Sequence, residues 1–155
     1  MNVPEFPTKH IFVADNKDED HRQFQDVIDD LPYLVYLTKT DNGEDTIKIL
    51  NQLEELPDVI FLDLSIPGKD GFDCLKEIKQ SKKLQSLPVI IFWSSIHPGA
   101  VDQAYNDGAH LYIRKPTDFL NFKKSVHYVL GVNWKSELSQ PPREEFVLDL
   151  FPGGH

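Results

Sequence analysis

The sequence predicts an α/β protein, a doubly wound, five-stranded parallel sheet with helices on both faces. Three observations lead there. Short β-branched or aromatic runs alternate with longer amphipathic stretches about every 20–25 residues. Two of the short runs, Val59–Leu62 and Val89–Trp93, are apolar without a break, as expected for strands covered on both faces. The chain has 155 residues, 40% hydrophobic and 26% charged, which is one domain's length with enough apolar material for a self-sufficient core.

Each element has its own signal. The run 10–14 (HIFVA) is the first strand and ends at Asp15. Phe24, Val27, Ile28 and Leu31 then recur at i, i+3, i+4 and i+7, one face of a helix. Residues 33–37 (YLVYL) read as the second strand, 40–43 (TDNG) as a turn, and Ile47, Leu50 and Leu53 as the inner side of the second helix. The third strand, 59–62, also ends in an aspartate, Asp63. A loop interrupted by Pro67, Gly68 and Gly71 leads to a helix that turns Phe72, Leu75 and Ile78 inward. Pro88 introduces the fourth strand, and beyond Ser94 and Ser95 a helix carries Ala100, Val101, Ala104 and Tyr105 until Gly108 stops it. Leu111, Tyr112 and Ile113 form the fifth strand, which runs into Arg114, Lys115 and Pro116. Thr117 or Asp118 caps the last helix, which bears Phe119, Phe122, Val126, Val129 and Leu130. The organisation expected is an arm over 1–8, a domain over 9–131 and a Pro-rich tail over 132–155, lying on the domain through Trp134, Phe146 and Leu148.

Charge and composition exclude several classes. The formal net charge is −9, which argues against nucleic acid or an anionic membrane as a partner. The single cysteine, Cys74, forbids an internal disulfide, fits a reducing compartment and reads as a packed small residue. No apolar run approaches the roughly 18 residues of a membrane span. A cytoplasmic protein is expected.

In a sheet of this type the functional crevice lies beyond the carboxyl ends of the strands. Asp15, Asn16, Asp63, Ser65, Trp93, Ser94, Ser95 and Lys115 should therefore converge there. Carboxylates gathered at strand ends leave a negative pocket that a hard divalent cation such as Mg²⁺ relieves. A lysine opposite supplies a point charge for an anion. Together these are what phosphoryl transfer to an aspartate requires. Asp18, Glu19 and Asp20 are assigned to the first turn of the first helix, where acids favour the dipole, and not to a second metal site.

At these positions the sequence resembles the receiver domain of two-component response regulators. The stretch 57–71 (PDVIFLDLSIPGKDG) and the stretch 104–116, ending in Tyr112, Ile113, Arg114, Lys115 and Pro116, carry the resemblance, which covers roughly residues 9–130. It implies the flavodoxin-like receiver fold with strand order 2-1-3-4-5. It also implies Asp63 as phosphoacceptor, Lys115 as the phosphate contact and Tyr112 as the switch aromatic. The metal site would comprise Asp15, Asn16, Asp63 and the backbone carbonyl of Ser65, with Mg²⁺ as cofactor. The expected function is phosphorelay signalling without further enzyme activity. A sensor histidine kinase or phosphotransfer protein donates the phosphoryl group, and a downstream protein docks on the face of the fourth helix, fifth strand and fifth helix. Val101, Tyr105, Tyr112 and Phe122 are the expected surface elements of that face. The tail is too short for an ordinary output domain.

Two positions depart from the family pattern. Asn16 stands where a second acid is usual, so the Mg²⁺ site loses a charge and should be weaker. Trp93 stands where Thr or Ser is usual, and it offers only an N–H in place of a hydroxyl. Ser94 is the nearest substitute. These departures support an alternative, a degenerate receiver that docks without phosphorylation. Enzyme classes fit less well. Ser65 occupies the place where an aspartyl-nucleophile phosphatase carries its second Asp, and no G-x-x-x-x-G-K-[ST] loop is present.

Overall fold

A computed structural model describes residues 5, 7–134, 136 and 139–149. Five units of strand and helix follow one another: β1 (His10–Ala14), α1 (Asp18–Asp29), β2 (Tyr36–Thr40), α2 (Gly43–Gln52), β3 (Val59–Leu62), α3 (Gly71–Gln80), β4 (Val89–Trp93), α4 (Pro98–Asn106), β5 (Leu111–Arg114) and α5 (Phe119–Leu130). A single 3₁₀ turn, Arg143–Glu145, then precedes a short β6 (Val147–Leu148). All pairings are parallel, in the order β2-β1-β3-β4-β5-β6. The arm 1–8 is described only in part, and so is the tail 132–155, whose last six residues lie outside the described residues.

The side-chain period of two divides the core between the two faces of the sheet. Ile11, Val13, Val59, Phe61, Ile90, Phe92, Leu111 and Ile113 pack with Phe24 and Val27 of α1 and with Phe122, Val126 and Val129 of α5. Phe12, Ala14, Ile60, Leu62, Val89, Ile91 and Tyr112 pack with α2, α3 and α4 through Leu50, Leu75, Ile78, Val101 and Ala104. On the first face four phenylalanines form an edge-to-face cluster. Phe24 lies 5.0 Å from Phe61 and from Phe122, and Phe92 lies 5.3 Å from Phe122. Asp118, not Thr117, caps α5, accepting the Asn121 N–H at 3.0 Å.

Two elements differ from the sequence reading. β2 starts at Tyr36, not at residue 33, because its register is set by pairing with β1, where His10 lies opposite Tyr36. Leu34 and Tyr36 are 71% and 64% exposed while Val35 is buried, so only one side of this run meets the core. The sheet also has six strands instead of five, the sixth supplied by the tail. Trp134 and Phe146 are buried as expected, and Leu148 is half-buried.

Candidate functional site

Alternation along the strands decides which side chains meet beyond their carboxyl ends. Asp15 continues the Ile11, Val13 series, Asp63 the Val59, Phe61 series and Lys115 the Leu111, Ile113 series. The three strand ends thus send one acid, one acid and one base toward the side of the sheet covered by α1 and α5. The Lys115 ammonium donates to Asp15 Oδ2 at 2.7 Å, to Asp63 Oδ2 at 2.8 Å and to Asp20 Oδ2 at 2.8 Å. It also sits 5.8 Å from the centroid of the Phe92 ring. Asp15 and Asp63 are each 2% exposed, and Asp20 and Lys115 are 8% exposed.

Asp20 lies in the first turn of α1 as the sequence predicts, but it also joins the acidic site, which the sequence reading did not assign to it. α1 begins at Asp18, and its third residue carries a buried carboxylate into the crevice, while Asp18 and Glu19 remain exposed. Oxygens of Asp15, Asp20 and Asp63 all lie within 4.8 Å of one another. The helix phase was the only sequence signal for this, and three consecutive acids conceal which one turns inward. Asn16, expected beside Asp15, is exposed.

The remaining lone pairs are largely taken. Asp15 Oδ1 accepts the Lys17 N–H at 2.9 Å. Asp63 Oδ1 accepts both the Ser65 N–H at 2.7 Å and the Ser65 hydroxyl at 2.6 Å. Burial pushes the Asp15 carboxyl up to about 6, with Lys115 pulling the other way. For Lys115, burial favours the neutral amine, but Asp15 and Asp63 together outweigh it and raise the pKa above the ordinary lysine value. The site is therefore an ammonium locked among carboxylates, three acids to one base. That excess of buried negative charge, all of it on hard oxygen ligands, is the composition that suits a divalent cation.

Trp93 and Ser94 follow at the end of β4. Trp93 is half-buried, packs against the α2–α4 side of the core and meets His97 edge-on at 5.7 Å. Ser94 is exposed on the loop beyond it. The Tyr112 hydroxyl donates to the Ser95 carbonyl at 2.8 Å. Val101, Tyr112 and Phe122 were expected on a docking surface, but all are buried, at 2%, 0% and 0% exposure. Phe122 belongs to the phenylalanine cluster, and Tyr112 faces the other layer, beneath the tail. Tyr105 is half-buried and bonded to the tail through its hydroxyl and the Pro141 carbonyl, 2.8 Å apart. Cys74 is buried, and burial pushes its thiol up to about 12, as for a packing residue. No helix among the described residues is long and apolar enough to cross a membrane.

Comparison with known proteins bears on this arrangement. The profile of the response regulator receiver domain matches residues 11–127. Two-component response regulator ORR3 of Oryza sativa subsp. japonica is 29% identical over 114 residues, covering 74% of this chain and 84% of that protein. Two-component response regulator ARR8 of Arabidopsis thaliana is 28% identical over 86 residues, 56% of this chain, and the match spans 38% of ARR8. Among solved structures, the phosphorylated cyanobacterial phytochrome response regulator RcpA is similar with a TM-score of 0.77 at 26% identity, covering 87% of this chain and 99% of that one. The Mn²⁺-bound form of response regulator Rcp1 gives 0.74 at 26% identity, covering 86% and 99%. The match extends from β1 into α5, a range that includes both strand-end aspartates and the lysine, and the chain belongs to the response regulator receiver domain family of two-component signalling.

Proposed function

We propose that the protein is a phosphorelay receiver whose acceptor is Asp63. The observation that carries this reading is the Lys115 ammonium, held at once by Asp15, Asp20 and Asp63. A carboxylate oxygen of Asp63 attacks the phosphorus of a phosphohistidine on a kinase or phosphotransfer protein. The P–N bond breaks, and its electron pair leaves with the imidazole. Lys115 then has the phosphoryl group to neutralise as well as its carboxylates, and Ser65 keeps the acceptor carboxylate oriented through Oδ1. Asp15, Asp20 and Asp63 are the residues that would hold Mg²⁺, with the Ser65 carbonyl as a further ligand. The ion supplies positive charge against the phosphoryl oxygens. Asn16, on the surface, is at most an outer contributor. The signal passes to a downstream protein by docking on the side of α4, β5 and α5.

A second reading, a receiver that docks without phosphorylation, has its own observations. The acceptor is 2% exposed and bonded on both oxygens, and Trp93 stands at the end of β4. Intact mass after incubation with Mg²⁺ and acetyl phosphate separates the two. One phosphoryl adduct in wild type, absent from Asp63→Asn, is the expected result. An unmodified wild type would establish the second reading instead.

A further inference from the structure

The tail does more than end the chain. Residues 139–149 cross α4 and β5 as a strap, on the side proposed for output. Gln140 donates from its amide to the carbonyls of Tyr105 and Ala109, both at 2.7 Å. The Tyr105 hydroxyl donates to the Pro141 carbonyl. Arg143 pairs with Asp102 at 2.8 Å, and Arg114 with Asp149 at 3.1 Å. The Tyr112 N–H donates to the Phe146 carbonyl at 3.1 Å, which opens the β5–β6 ladder of Tyr112 with Val147 and Ile113 with Leu148. Phe146, fully buried, lies edge-on to Tyr105 at 5.0 Å and to Tyr112 at 6.3 Å.

The strap is seated lightly for its length. Phe146 is its one fully buried side chain among the described residues, while Val147 and Leu148 are half-buried and the Arg143 pair is exposed. On its α5 side a crevice of about 510 Å³ remains, lined by Tyr128, Trp134, Pro141, Val147 and Leu148. One buried aromatic side chain, two strand pairs and a handful of surface hydrogen bonds and ion pairs hold a segment whose ordering costs entropy at every residue.

The seat is also connected to the acidic site. Tyr112 forms one wall of the Phe146 pocket, and its hydroxyl is bonded to the Ser95 carbonyl. Ser95 lies in the loop that leaves β4, and β4 pairs directly with β3, which Asp63 follows. A phosphoryl group on Asp63 places new acceptor oxygens one strand away from the Ser94 and Ser95 hydroxyls. Drawing that loop toward the group moves the Ser95 carbonyl, and Tyr112 loses the partner that fixes its ring under Phe146.

We propose that the strap is an intramolecular lid on the α4–β5 face, docked when Asp63 is free and released when it is phosphorylated. This rests on Asp63 being the acceptor. Release uncovers the edge of β5 and the aromatic seat between Tyr105 and Tyr112, so the face that signals is hidden until the phosphoryl group arrives. Linkage makes the relation reciprocal, so a strap that docks less well leaves the site easier to phosphorylate.

Hydrogen exchange read by mass spectrometry on the full chain tests this, with intact mass measured on the same samples. With Mg²⁺ and acetyl phosphate, amides of 140–149 should exchange at least tenfold faster once the adduct has formed, and those of Asp63→Asn should not change. An adduct with unchanged exchange at 140–149 overturns the lid. Absence of any adduct overturns the acceptor reading and the coupling with it, and is distinguished by the mass alone. Phe146→Ala should lose protection over 140–149 while β1 to β4 stay protected, and should reach higher phosphoryl occupancy at limiting donor. Loss of protection throughout would make Phe146 a core residue and overturn the lid. So would light scattering that gives twice the chain mass with strap protection rising with concentration, since the strap would then be docked between copies.

Discussion

Lys115 is the single cation placed among three buried carboxylates, so its removal should be felt well beyond its size. Lys115→Met leaves those charges uncompensated and is expected to cost about 3–5 kcal/mol in urea unfolding at pH 7. The loss should shrink as pH falls and the carboxylates take up protons. Asp63→Asn does the opposite, relieving crowding while keeping an oxygen for Ser65, and should be no less stable than wild type in the same assay. Lys79 offers a separate pH signature. Burial lowers its pKa from 10.5 to about 8, although it donates to the carbonyls of Gln85 and Leu87 at 3.1 and 2.7 Å. Between about 8 and 10.5 the unfolded chain binds more protons than the folded one, so stability should rise with pH across that window. The wild-type curve minus that of Lys79→Met isolates this slope, and a flat difference would contradict it. At this scale the site was legible where strands name their own ends. Asp15, Asp63 and Lys115 each follow an apolar run, so their convergence could be read from the fold class. Asp20 was legible only through the helix phase, four residues before Phe24 on the inward face of α1, a signal that three consecutive acids obscured.

Elements were legible where the pattern is internal and less so where a partner decides. β3 and β4 are apolar throughout and needed no neighbour to be seen. β2 looked like 33–37 because its residues are apolar, but β1 chose 36–40 by register. β6 is two residues long among prolines and acids, and exists only because β5 has an open edge. The junction from β3 to α3 illustrates how an element fixes the site. A Cβ on Gly71 would lie 2.5 Å from Leu64 Cα and 2.7 Å from the Asp63 carbonyl oxygen, so α3 starts pressed against the backbone of Asp63 itself. Gly71→Ala should therefore cost about 1–3 kcal/mol in thermal or urea unfolding. It should also slow phosphoryl uptake more than a surface Gly99→Ala, which meets nothing within 4 Å.

Over the whole molecule, two chemically different cores flank one sheet. The α1–α5 side is held by interlocked phenylalanines, and the α2–α4 side is largely aliphatic, with Phe12 on β1 and with Tyr112 and Phe146 at its β5 edge. Phe122→Ala should open the aromatic side and cost about 3–5 kcal/mol by urea unfolding. The two-sided alternation made the fold class readable, while the division of aromatic from aliphatic faces needed the observed register. The net charge of −9 is compounded at the acidic site, where three carboxylates outnumber one lysine. Millimolar Mg²⁺ should accordingly raise the melting temperature, and Asp20→Asn should weaken that shift. The sixth strand has a consequence for biosynthesis. When α5 has left the ribosome, β1 to β5 are all present and able to fold, yet the outer edge of β5, opposite β4, stays unpaired until residues 147 and 148 emerge. For that interval the newborn protein carries an unprotected strand edge, and on crowded polysomes this edge is where adjacent nascent chains would stick to each other.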